Sequence, residues 1–242
     1  MKKSNVLVVT MTHSKRLEHL PTILRELKEQ TYCCDYCVWN NSEHNIFFDN
    51  IRVFRGFNDL NPMQRFVPAV ISDYEYIFYC DDDIRVGKQF VEFAISYLSN
   101  RNSTILVAGG SLILRPTDDG GFQRDEHWGV SELNNKEILV DIGASGSVFC
   151  KSNLLRPVFM VHIPYEIMST DIAMSVAHHL YNHGDLIIPP HDGDSTRMIE
   201  NFHPWHSTGK NSSPNFTSTK NGLLRYIIQT TKWIPPSWQR KQ

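Results

Sequence analysis

Tyr76-Ile77-Phe78-Tyr79-Cys80-Asp81-Asp82-Asp83-Ile84 is an apolar run that stops abruptly on three consecutive carboxylates. Five residues of β-branched and aromatic character read as a buried strand, and nothing about building a strand requires an acidic triplet at its end. Adjacent like charges repel, so the triplet asks for a cation nearby. Two readings fit the local pattern. One is a solvated turn with an Asx-type cap ahead of a helix at Gly87. The other is a divalent-metal site, because hard oxygen ligands suit Mg²⁺ or Mn²⁺ and a metal relieves the repulsion. In open α/β sheets, ligands also gather beyond the carboxyl ends of strands.

Upstream of this stretch, Val6 to Met11 reads as a strand buried on both faces, followed by the polar segment Thr12-His13-Ser14-Lys15-Arg16. Leu20, Ile23, Leu24 and Leu27 then recur at helical spacing, with Pro21 tolerable in a first turn. Tyr36-Cys37-Val38-Trp39 is a second strand ending on Asn40-Asn41-Ser42, and Ile51 to Phe54 a third ending on Arg55-Gly56. Asn61-Pro62 signals a helix start. That helix is predicted to put Met63, Phe66, Val67 and Val70 on one face and Arg65 on another. After the triplet, a helix from about Gly87 to Leu98 is expected to turn Phe90, Phe93, Ala94 and Tyr97 to the core. The order β-α-β-β-α-β-α predicts an α/β, Rossmann-like, mixed and mainly parallel sheet flanked by helices.

Beyond residue 100 the pattern is mixed. Thr104 to Gly109 reads as a strand and Asp118-Asp119-Gly120-Gly121 as a turn. Ile138 to Ile142 is another strand, opening onto Gly143-Ala144-Ser145-Gly146-Ser147. Such small residues allow close approach of a ligand, or simply form a tight turn or bulge. Ser169-Thr170-Asp171 opens a helix, where the dipole alone accounts for an Asp. Leu186 to Ile188 is a last strand, closed by Pro189-Pro190. Residues 191 to 220, holding His191, His203 and His206, lack periodicity and read as a long surface loop of the kind that often serves as a lid. A final helix is expected over Gly222 to Trp233.

A chain of 242 residues can bury one substantial core, and no composition break divides it. The expectation is a single domain over residues 1–242. With 24 basic against 26 acidic residues, a nucleic-acid binder relying on bulk charge is disfavoured. Val6-Leu7-Val8-Val9 is too short an apolar run for a signal peptide or membrane span, so a soluble, cytoplasmic chain is expected. Cys33, Cys34, Cys37, Cys80 and Cys150 lack the second pair that a structural zinc site needs. They are read as small thiols, mostly buried. The sequons at Asn40, Asn102, Asn211 and Asn215 carry little meaning without an export signal.

With these motifs in order, the chain resembles the GT-A-fold nucleotide-sugar glycosyltransferases, most closely the exostosin-type, heparan-sulfate N-acetylhexosaminyltransferase-like family. The resemblance rests on Val38-Trp39-Asn40-Asn41, Asn61-Pro62-Met63-Gln64-Arg65, Asp81-Asp82-Asp83, Ile142-Gly143-Ala144-Ser145, Asp171-Ile172-Ala173-Met174 and Trp205-His206. They run from Val38 to His206, and with the elements around them the resemblance covers roughly residues 6 to 230.

The resemblance implies a metal-dependent transfer of a sugar from a UDP-sugar to a glycan hydroxyl, with retention of anomeric configuration. In inverting relatives the carboxylate comparable to Asp171 is the general base. It further implies Mn²⁺ or Mg²⁺ on Asp83 and Asp81, with His206 or His203 completing the shell. Thr10, Thr12, Arg16, Asn40, Asn41, Asn58, Arg65, Asp81 and Asp82 would bind the nucleotide sugar. Gly143, Ala144, Ser145 and Trp205 would line the sugar and acceptor pocket, and Asp171 and Arg65 would be catalytic. The family's arginine after Trp-His is Ser207 here, with Lys210 as the substitute cation. A sugar-phosphate nucleotidyltransferase would open with a Gly-rich loop after the first strand, and Thr10 to Arg16 contains no glycine. A binding module without turnover is the remaining rival.

Overall fold

The computed structural model describes residues 4–13, 16–55, 62–107, 111–119, 121–127, 136–162, 169–197, 199–201 and 216–239. Its centre is an eight-stranded sheet in the order β3-β2-β1-β4-β10-β6-β11-β9. Val6–Thr12 (β1), Asp35–Asn40 (β2), Arg52–Arg55 (β3) and Tyr76–Asp81 (β4) run parallel. Ser147–Lys151 (β10) is antiparallel to both β4 and Thr104–Val107 (β6), while Asp185–Ile188 (β11) returns parallel to β6. Ile138–Val140 (β9) closes the far edge. The sheet is thus mixed and mainly parallel on the side read from the first hundred residues.

From β1 the chain steps outward through Leu20–Lys28 (α1) to β2 and β3, then comes back to lay β4 on the other side of β1. The loops leaving the carboxyl ends of β1 and β4 diverge there, and this reversal of direction is where open α/β sheets leave a crevice. Strand alternation divides the core. Phe78 and Cys80 pack with α1 and with Phe90–Leu98 (α3) on one face. Ile77 and Tyr79 pack on the other with Val67–Ile71 (α2), Thr170–Ala177 (α4) and Phe216–Thr231 (α5).

Several local expectations are corrected. The segment after Asn61 is a 3-10 turn over Pro62–Phe66 followed by the short α2, and the tighter turn with Pro68 rotates the buried face. Met63, Phe66, Pro68 and Ala69 point inward, whereas Val70 is exposed. In α3 the buried stripe is Phe90, Val91, Ala94 and Leu98; Phe93 and Tyr97 are only half-buried. The stretch read as one loop over 191–220 contributes Ile199–Asn201 (β12), which pairs antiparallel with Ile84–Val86 (β5), and the first residues of α5. Ser111–Pro116 (β7) and Phe122–His127 (β8) form a hairpin around the Asp118-Asp119 turn. Buried Asp141 ties β7 to the C-terminal Pro236–Gln239 (α6), accepting from Leu114 N at 2.7 Å and Ser237 N at 2.8 Å.

No disulfide joins cysteines among the described residues, and Cys37, Cys80 and Cys150 are buried thiols. No helix among these residues is long and apolar enough to cross a membrane.

His178, fully buried in a π-turn that extends α4, fastens the β6 and β11 ends together. Its Nε2 meets Ser103 O at 3.1 Å and Asp185 O at 3.3 Å, and Asn182 Nδ2 donates to Nδ1 at 3.0 Å. Two carbonyl partners put the proton on Nε2, and a second proton would face the Asn182 donor. Gly184 is obligatory beside it, since a Cβ there would lie 1.8 Å from Ser103 O. Burial, only partly opposed by the two carbonyls, drops the His178 pKa to about 4. The unfolded chain protonates this imidazole near ~6.5. Stability is therefore full above about pH 6.5 and falls as pH drops toward 4, by about 3 kcal/mol. Urea unfolding at pH 7.5 and 4.5 should show this loss in the wild type and a smaller loss in His178→Gln.

Candidate active site at the carboxylate triplet

The triplet is held as a turn between β4 and β5, with Asp82 and Asp83 buried. A solvated turn is ruled out, because cationic side chains meet the carboxylates directly. Arg16, from the loop after β1, brings Nη1 to Asp82 Oδ1 at 3.0 Å and to Asp83 Oδ2 at 2.7 Å. Arg65, from the 3-10 turn, brings Nη2 to Asp81 Oδ1 at 2.5 Å. Both guanidiniums are themselves buried. The Asp81 side chain keeps 29% of its surface exposed, so it is the carboxylate that faces the crevice.

Among the described residues, three carboxylates against two guanidiniums leave one net negative charge at a buried turn. Burial pushes Asp81 up, Arg65 pulls it back, and Asp83 and Asp82 raise it again, for a net position above the ordinary carboxylate range. Burial likewise raises Asp82, against Thr12 and Arg16. Thr12 approaches Asp82 closely enough to act on it, yet short of hydrogen-bond geometry. Thr12 Oγ1, Asp82 Oδ2 and the buried Thr10 Oγ1 therefore have no hydrogen-bond partner among the described residues.

From Asp81 a relay of polar contacts runs across the crevice. Arg65 Nη1 donates to Ser145 O at 3.1 Å. Ser145 donates to Asp171 Oδ1 from its backbone N at 2.9 Å and from its hydroxyl at 2.6 Å. Thr170 Oγ1 lies 2.7 Å from the same hydroxyl. The far oxygen of Asp171, in the first turn of α4, pairs with Lys220 Nζ of α5 at 2.7 Å. Burial alone would raise Asp171, but Lys220 and Ser145 more than reverse it, leaving a pKa of about 2. The turn of small residues holds the relay in position. Gly143 N donates to Ser175 Oγ at 2.9 Å and Ala144 N to Ser111 Oγ at 3.1 Å. A Cβ on Gly146 would lie 2.7 Å from Asp81 Oδ2, so only glycine leaves that carboxylate its place.

Of the residues read from the sequence, the fold gathers Arg16, Arg65, Asp81, Asp82, Asp83, Ser145 and Asp171 into one cluster, with Thr10 and Thr12 at the end of β1. Asn41 reaches its edge, donating to Met11 Sδ at 3.4 Å beside Arg65. The Asn40 side chain is buried and engaged locally, accepting from Ser42 N at 2.9 Å and donating to His44 O at 2.8 Å. Asn58, His203, Trp205, His206, Ser207 and Lys210 lie outside the described residues. Asn201, the last described residue before them, pairs with Ile84, the neighbour of Asp83. Sequence reasoning missed Lys220 and Thr170; Lys220 is 49 residues from its partner, and no periodicity or motif announces it.

The donor set is chemically suited to a hard divalent cation. Among the described residues no three His, Cys, Asp or Glu groups converge as a metal site by themselves. Mg²⁺-like ions, however, are commonly held by one or two carboxylates plus substrate phosphates, and this cluster carries an uncompensated negative charge and a crevice-facing Asp81.

Comparison with known proteins adds the fold. No family model matches the chain, and no curated protein matches it in sequence. Among solved structures, that of GalNAc-T7 with UDP, GalNAc and Mn²⁺ superposes with a TM-score of 0.57 at 11% identity. The fold is GT-A-like. The match covers 76% of this chain and 42% of that one, so the chain spans less than half of its neighbour's length.

The Asp171–Lys220 pair yields a direct test. In Lys220→Met, burial acts on Asp171 opposed only by Ser145, and its pKa should climb from about 2 in a ¹³C-carboxyl NMR titration. An unchanged value would show that Lys220 is not what keeps Asp171 ionised.

Proposed function

We propose that this chain is a metal-dependent glycosyltransferase that moves a sugar from a UDP-sugar donor to a glycan hydroxyl with retention of anomeric configuration. The observation that carries this reading is the polar relay from Asp81 through Arg65 and Ser145 to Asp171. It links an acidic turn suited to a metal–diphosphate with a carboxylate suited to a sugar ring. The GT-A-like fold and a solved neighbour bound to UDP and Mn²⁺ support the same reading, as does the resemblance of the motifs to those of exostosin-type enzymes.

In this reading Asp83 and Asp81 hold Mn²⁺ or Mg²⁺, which as a Lewis acid supports charge build-up on the departing diphosphate. His203 or His206 completes the shell, consistent with the pairing of Asn201 beside Ile84. Thr10, Thr12 and Asn41, at the ends of β1 and β2, take the base and ribose, together with Arg16, Asn58 and Asp82. Asn40 supports that loop through Ser42 and His44. Arg65 draws the diphosphate and the sugar pocket into one geometry, with Gly143, Ala144, Ser145 and Trp205 lining the acceptor side. Residues 1–100 supply most of the nucleotide contacts, and residues 101–242 the sugar and acceptor contacts.

The low pKa of Asp171 supports the retaining reading over the inverting one. A general base works best with a pKa near the operating pH, and a carboxylate at about 2 is a weak one. Such an anion instead orients the sugar and stabilises positive charge developing at the anomeric carbon. As the bond from that carbon to the diphosphate oxygen breaks, the acceptor oxygen bonds to the same face. The acceptor's hydroxyl proton passes to the departing oxygen.

Donor hydrolysis and transfer assays with Mn²⁺ test this. Asp83→Ala should remove metal-dependent turnover with the chain still folded by circular dichroism, though less stable, since Arg16 keeps Asp82 as its partner; full activity, or full activity in excess chelator, would contradict the metal role. Asp171→Asn should lower kcat by about 100-fold while changing donor affinity little. An effect confined to affinity would make Asp171 a helix-start residue only. Absence of any hydrolysis or transfer with every UDP-sugar tried would favour a binding module.

A further inference from the structure

A second pocket opens on the same carboxyl edge of the sheet, on the opposite face from Asp81. Ser147 is the register partner of Cys80, and Cys80 belongs to the core on the α3 side. Directly paired residues share a face and neighbours along a strand alternate, so Ser147 and Asp81 look to opposite sides. The apolar walls of the pocket are Phe90, Phe93, Leu106, Pro189 and Ile199, and its volume is about 140 Å³. An apolar cavity of ~150 Å³ takes one benzene-sized ring.

Two polar atoms break this apolar lining. Ser147 is 2% exposed, and its hydroxyl has no hydrogen-bond partner among the described residues. His191 Nε2 is likewise buried and without a partner among them. Its other nitrogen, Nδ1, accepts from Gly193 N at 3.4 Å, which leaves the proton on Nε2 as a donor. A buried, unsatisfied hydroxyl costs stability unless something meets it. Together the two present donors to one small oxygen. The charged groups at the rim are turned to one another: Arg197 Nε lies 3.4 Å from Asp194 Oδ2, and Arg197 Nη1 lies 3.7 Å from Asp192 Oδ2.

We infer that this pocket is a binding site for an apolar six-membered ring carrying a single hydroxyl or carbonyl oxygen, the ring between Phe93 and Ile199 and the oxygen at Ser147 and His191. A free hexose does not suit it, because most of its hydroxyls would meet apolar walls. The inference does not depend on the transferase reading, since binding here involves neither nucleotide nor metal.

The probes are phenol, benzene and glucose, added without nucleotide or metal to the methyl-labelled full chain and followed by NMR. Phenol should give saturable shifts at the Leu106 and Ile199 methyls, benzene about tenfold weaker binding at the same methyls, and glucose none. Ser147→Ala should bring phenol down to the level of benzene without lowering Tm, because it removes a hydroxyl that has no partner among the described residues. Phe93→Trp, which narrows the pocket, should abolish the phenol shifts. The inference is overturned if phenol gives no saturable shift at these methyls, if phenol and benzene bind the wild type equally, or if glucose binds more tightly than phenol. Phenol binding that survives Ser147→Ala unchanged would overturn it too.

Discussion

Two arginines holding three consecutive aspartates are the constraint on which the rest of the site depends. A triplet of carboxylates at a buried turn is unstable alone, and Arg16 and Arg65 reach it from two different segments, the loop after β1 and the turn before α2. Breaking a buried pair of this kind by removing one partner typically costs about 3–5 kcal/mol. The same contacts that stabilise the turn therefore bind the β1 loop and the α2 region to the end of β4. Because the compensation from the described residues stops one charge short, the turn is attractive to a further cation.

The sheet order explains why this happens at one place. The reversal between β1 and β4 separates their outgoing loops, and the antiparallel β10 then delivers Gly146 and Ser145 against Asp81 from the other side. From Ser145 the path continues to α4 and, through Asp171, to Lys220 on α5. Elements from both ends of the sequence thus meet over one carboxyl edge. Asp171 is fixed there as an anion, in contrast to Asp81, which burial pushes the other way. Two carboxylates with opposite shifts are suited to different tasks, one to hold charge steadily and one to await a cation.

Much of this was legible in the residues. The apolar run into Asp81, the small residues from Gly143 to Ser147 and the start of α4 at Asp171 are local patterns, and each forms as the pattern demands. What escaped was decided by tertiary contact. Lys220 looks like any solvated helix lysine until α5 is laid against α4. Ile199–Asn201 has no strand periodicity of its own and becomes one by pairing with β5. Val70 faces solvent because a 3-10 turn and Pro68 shifted the phase of a helix whose spacing alone predicted burial. Asn40 illustrates the reverse: a polar residue at a strand end invites a ligand role, but its carboxamide is consumed by the adjacent turn.

The central claim is that the acidic turn is completed by a divalent cation shared with a nucleotide diphosphate. Calorimetric titration of UDP into the wild-type chain, with Mn²⁺ and with excess chelator, tests it most directly. The account requires saturable UDP binding with Mn²⁺ that weakens at least about tenfold, roughly 1.4 kcal/mol, when the metal is withdrawn. Equal affinity in the two conditions would contradict it.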